Sequence, residues 1–170
     1  MKFLAAVGVL AILLAIGAGV FFFGGFFSVA ATRQDPAFVS SALIYVRQAS
    51  IARHAVDLPP MSLDDPAVVQ AGAKAFSQRG CTNCHGGPGV MWAKFSEGMN
   101  PGPPDLKEVA PHLEPGELFW VVKNGIGMTG MPGFGPLGVL DQEIWSIAAF
   151  LKKLPGISEQ DYKAWTAVAP

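Results

Sequence analysis

Cysteine is scarce in this chain: among 170 residues only Cys81 and Cys84 carry a thiol, and only three histidines accompany them. Without a second cysteine pair, a four-thiolate zinc site is excluded. An excess of one charge is also missing. Twelve Lys and Arg stand against thirteen Asp and Glu, and no basic cluster offers the electrostatic footprint that a nucleic-acid partner requires. Val/Ile/Thr-rich alternating runs and internal repeats are absent as well. The 14 prolines and 20 glycines therefore punctuate a helical framework and do not join strands. One further absence is local: no charged residue occurs in the 25 residues from Phe3 to Phe27. As a helix this run would extend about 37 Å, enough to cross a hydrocarbon core of about 30 Å with some tilt.

That run is read as an uncleaved anchor. A secretory leader is the alternative, because Ser28-Val29-Ala30 has small-x-small character, but the apolar stretch far exceeds a signal h-region of roughly 7 to 15 residues. Lys2 places the N-terminus on the cytoplasmic side, with Arg33 as weak counter-evidence. Ala11, Ala15 and Gly19 recur every fourth residue and would admit a second helix, although small residues are so common here that chance explains them as well.

The chemistry sits in Cys81-Thr82-Asn83-Cys84-His85. Cys-x-x-Cys-His is the spacing at which two thiols on about one helical turn form thioethers to the vinyl groups of one porphyrin, while the adjacent imidazole faces the iron. A thioredoxin-like redox pair is the competing reading, but it expects a strand and helix pattern that does not surround Cys81. Covalent haem attachment of this kind occurs on the outer face of a bacterial inner membrane. The expected location is therefore the inner membrane, single-pass, with the haem domain in the periplasm.

Three regions are expected: an anchor over 1–30, a connecting amphipathic helix over 31–60 and a haem domain over 61–170. Asp35-Pro36 looks like an N-cap and first helical position for a helix reaching Ala55. Its residues Phe38, Val39, Ala42, Leu43, Val46 and Ala49 follow helical spacing and predict one buried face of undetermined partner. Asp65-Pro66 opens a second helix through Gln78, and Glu114-Pro115 a third that Asn124-Gly125 stops. Asp141 is expected to cap a fourth, with Ile144, Trp145, Ile147, Ala148 and Leu151 apolar and Pro155-Gly156 beyond it.

Gly72-x-x-x-Phe76, then Cys81-x-x-Cys84-His85-Gly86, Pro103-Pro104-Asp105-Leu106, Gly130-Met131-Pro132 and a last helix with Trp145 and Phe150 together resemble the class I c-type cytochromes over about residues 66 to 154. Arg53-His54-Ala55 and the segment from Asn124 to Pro132 are similar to membrane-anchored monohaem proteobacterial members. The resemblance implies an all-α shell around one covalent haem c, with the first and last helices crossing where Gly72 meets an aromatic such as Phe150. It also implies Met131 as sixth ligand opposite His85, because the family's ligand methionine occupies such a Gly-rich loop before a proline. Met128 remains the competitor. His54 and His112 would be needed for a bis-histidine iron, but His54 suits a helix C-terminus and His112 a loop.

Cys81, Cys84, His85 and Met131 are thus the expected cofactor-binding residues, His85 and Met131 the iron ligands, and no residue is catalytic. Gly86, Gly87 and Pro88 are expected to turn the chain under the ring, with the Pro88 carbonyl orienting the imidazole. Leu106, Trp120 and Phe134 are candidates for the apolar wall, and Trp92 and Arg79 for contacts to propionates. The implied function is single-electron transfer to redox proteins in or near the membrane, as a respiratory shuttle or a subunit of a larger oxidoreductase complex. A haem-based gas sensor or peroxidase-like enzyme with an exchangeable sixth position is the alternative.

Overall fold

The computed structural model describes residues 2–167, and its internal contacts divide the chain into two units, 1–34 and 35–170. In the first unit, α1 spans Lys2–Phe23, is apolar all round and buries none of its side chains. It is shorter than the charge-free run because Gly24 and Gly25 end it, Gly25 with φ +78°, a left-handed backbone that costs glycine little. Its 22 residues still extend about 33 Å. By length and composition α1 is able to cross a membrane, a property that a signal sequence shares.

The second unit is all-helical: α2 Ala37–His54, α3 Pro66–Gln78, α4 Thr82–His85, α5 Leu106–Val109, α6 Pro115–Asn124, α7 Asp141–Lys153 and α8 Glu159–Thr166, with short 3₁₀ turns between them. Among the described residues no strand occurs, only an isolated bridge between Gly87 and Val90.

The core forms where α3 crosses α7. Both helices present an apolar stripe, and Gly72 lets their backbones meet: a Cβ there would lie 2.9 Å from the Phe150 Cβ and against the Ser146 backbone. Phe76 and Phe150 pack at 5.3 Å, and α6 adds Phe119 stacked on Trp145 at 4.2 Å. Phe76, Phe119, Phe150 and Ile144 are all at most 2% exposed. Burial of each stabilises the fold by about 1.5–3 kcal/mol. Arg79 makes a bidentate pair with Glu143, linking the end of α3 to the start of α7. Lys152 donates to the carbonyls of Pro111 and Leu113, both at 2.8 Å, which fixes the loop before α6.

Several helix ends differ from expectation by one residue. Asp65 caps α3 as predicted, accepting from the Ala67 N–H. Pro36, not Asp35, is the N-cap of α2, because its extended backbone (ψ 140°) delays the first helical residue to Ala37. Leu140, with ψ 145°, holds that position for α7, and Asp141 is the first helical residue, its carboxylate paired with Lys123 at 2.8 Å. The apolar face expected for α2 is left largely uncovered by the rest of the chain. Only Ile51 is buried, whereas Phe38, Leu43, Tyr45 and Val46 are exposed. The packed part of α2 is its C-terminal end, where His54 stacks on Trp120 of α6 at 5.9 Å. The sequence pattern predicts no helix beyond Pro155-Gly156, and α8 follows them.

Candidate haem-attachment site

The cysteine motif occupies one turn of helix. Cys84 and His85 N–H groups both donate to the Cys81 carbonyl, at 3.2 and 3.0 Å, so Cys81, Cys84 and His85 share one short element, α4 and its N-cap. Gly80 before it and Gly86 after it have φ +75° and +65°. These positive values let the chain enter and leave the turn sharply. All three side chains are half-buried.

The His85 ring is oriented by Pro104. Its Nδ1 lies 3.1 Å from the Pro104 carbonyl oxygen, and because a carbonyl can only accept, Nδ1 carries the proton and Nε2 is left as the lone-pair nitrogen. The family resemblance points to Pro88 for this task. Pro88 is buried after the turn, and the carbonyl that does the work arrives instead from the Pro103-Pro104 segment leading into α5. Burial lowers the His85 pKa, with the Pro104 hydrogen bond opposing it, so the neutral ligand form is favoured. Burial likewise pushes the Cys81 thiol up to about 11, keeping the sulfur protonated at neutral pH.

Met131 stands in a loop that returns to the end of α6. Thr129 Oγ1 donates to the Ile126 carbonyl at 2.7 Å and accepts from the Met131 N–H at 3.1 Å. Ile126 N–H in turn donates to the Met131 carbonyl at 3.1 Å. Gly125, with φ +70°, lies so close to this return that a Cβ would stand 2.5 Å from the Gly133 nitrogen. Thr129 was not singled out from sequence, and Gly125 only as part of the Asn124-Gly125 helix stop. Met131 is half-buried and packs against the core, whereas Met128 is fully exposed at 102% with φ +60°. Met99 places its sulfur 2.8 Å from where a Gly130 Cβ would be.

Of the other candidates, Phe134 is buried and Leu106 and Trp120 are half-buried. Trp92 lies 3.6 Å from the Gly86 Cβ position. His54 is held by Trp120 and by the Ser50 carbonyl, which its Nδ1–H reaches at 2.7 Å, and His112 is exposed. Two surface clefts, of about 470 and 310 Å³, include none of Cys81, Cys84, His85 or Met131 in their walls.

Among the described residues no group of three or more His, Cys, Asp or Glu could cage a bare metal ion. One imidazole and two neighbouring thiols on a single turn instead suit a metal already held in a macrocycle, the thiols bonding the macrocycle and the imidazole the metal. An all-helical fold around such a turn defines a c-type cytochrome domain. A family model described as "Cytochrome C oxidase, cbb3-type, subunit III" matches residues 67–151, half of the chain, and the protein belongs to that family. Covalently bound haem c and electron transfer follow from the membership. No curated protein and no solved structure matches the chain.

Proposed function

We propose that the chain is a membrane-anchored monohaem cytochrome c that passes single electrons between redox proteins at the periplasmic face of a bacterial inner membrane, as a respiratory shuttle or an electron-transfer subunit. Cys81 and Cys84 would hold the one haem, with His85 and Met131 as the protein's ligands to its iron. The observation that carries this reading is the His85–Pro104 hydrogen bond, which presents Nε2 from the same turn that carries both thiols. The half-buried Met131 in its hydrogen-bonded loop supports it, and the exposed Met128 fits it poorly as a rival. The apolar α1 supports anchoring, and its single N-terminal Lys2 the orientation.

When bound, the haem iron supplies a one-electron couple, and a histidine–thioether pair favours the reduced state. The protein's share is positional. Pro104 fixes the imidazole's tautomer, which sets its basicity. Thr129 and Gly125 hold the loop that presents the thioether, and Phe134 and Leu106 exclude water. With both axial positions taken, no place is open for a substrate, which favours a carrier over an enzyme.

The test is the visible spectrum of the purified full-length protein, oxidised, reduced and then exposed to carbon monoxide. Sharp reduced c-type bands, a weak methionine-to-iron charge-transfer band when oxidised and no carbon monoxide response are expected. A high-spin oxidised spectrum or carbon monoxide binding would move the function to gas sensing or peroxide chemistry.

A further inference from the structure

α8 lies outside the matched segment 67–151, yet it closes on the turn that follows the haem-attachment motif. Two of its side chains make the contact. The Tyr162 ring lies 3.5 Å from the Cβ position of Gly87, and the Glu159 carboxyl carbon 3.0 Å from that of Gly89. Tyr162 is 1% exposed and stacks on Phe150 at 5.7 Å, so the α3–α7 core fixes its position. Its hydroxyl is buried without a hydrogen-bond partner. Its oxygen, like the adjoining ring carbons, lies 3.5 Å from the Gly87 Cβ position. Burial dominates and raises the phenol's pKa, so the hydroxyl stays a neutral dipole. A buried hydroxyl without a partner costs about 1–3 kcal/mol relative to a paired one, and phenylalanine would fill the same space without that cost.

We propose that Tyr162 is a positioning residue for the haem-attachment turn: its ring holds Gly87, two residues beyond His85, and its hydroxyl supplies a reorientable dipole against the same glycine. The proposal rests on Cys81, Cys84 and His85 being the attachment residues. A hydroxyl rotates to suit its surroundings, and in low dielectric its oxygen turns toward the positive charge that the site gains on oxidation. Tyr162 therefore stabilises the oxidised state.

The experiment compares the midpoint potential of the full-length holoprotein with those of Tyr162→Phe and Tyr162→Ala, with the exposed Lys163→Ala as control. Tyr162→Phe keeps the ring and loses only the dipole. At a fixed solution potential its oxidised-to-reduced ratio is expected to fall at least about threefold, a one-electron shift to higher potential, with thermal stability unchanged or raised. Tyr162→Ala, if it folds, is expected to add a carbon monoxide response that Tyr162→Phe lacks. An unchanged or lowered potential in Tyr162→Phe overturns the proposal while leaving the haem reading intact. Loss of covalent haem from a denaturing gel of the unmodified protein overturns the reading beneath it.

Discussion

Gly72 and Ser146 meet backbone to backbone. A Cβ on Gly72 would stand 2.5 Å from the Ser146 carbonyl carbon and 2.9 Å from the Phe150 Cβ, so the two longest helices of the haem domain cross at a point where only hydrogen fits. The overlap is with main chain, which cannot rotate away as a side chain can. Gly72→Ala is therefore expected to cost more than about 3 kcal/mol. A denaturant titration of the holoprotein checks this, and a loss below 1 kcal/mol would mean that α3 and α7 separate cheaply.

Met131 and Met128 are three residues apart and differ in surroundings. Met131→Ala should abolish the methionine-to-iron charge-transfer band and lower the midpoint potential, because the soft thioether favours ferrous iron. Met128→Ala, at a fully exposed position, should leave both unchanged. The reverse pattern in the near-infrared spectrum would exchange the two assignments.

Lys152 is half-buried and its ammonium satisfies two carbonyls, Pro111 and Leu113. Lys152→Met keeps the apolar stem but orphans both acceptors. A loss of about 1–3 kcal/mol is expected, read as a lower thermal midpoint with unaltered visible bands. A variant as stable as the original would show that water replaces the ammonium.

His85 gives the pH dependence its sign. Burial lowers its pKa in the fold, so in acid the unfolded chain binds a proton that the folded chain resists. The stability this residue contributes is complete above the ordinary histidine pKa of about 6.5 and is lost as pH falls below it. Urea midpoints from pH 7 down to 5, measured in a background with His54 and His112 replaced by Gln, are expected to decline. A rise on acidification would contradict the burial of a neutral imidazole.

Much of the candidate site was legible because it is local. Two thiols and an imidazole within five residues belong to one turn whatever surrounds them, and the Asp65-Pro66 and Glu114-Pro115 starts rest on hydrogen bonds within a few residues of the helix end. The carbonyl that orients His85 was misassigned for the opposite reason. Pro88 is three residues away and Pro104 nineteen, and only the folded path of residues 99–104 brings the second within 3.1 Å. Met131 and Met128 carry the same sulfur in the same loop, and burial, not spacing, separates them.

The sequence by itself determined that this protein has a charge-free run long enough to cross a membrane, an all-helical framework and one Cys-x-x-Cys-His turn, because each follows from side chains within reach of one another along the chain. Tertiary structure alone decided that Pro104 holds the imidazole, that most of α2 stays exposed, and that α8 closes on the Cys-x-x-Cys-His turn through Tyr162. Those outcomes depend on which distant backbones can approach without overlap once the α3–α7 core has packed.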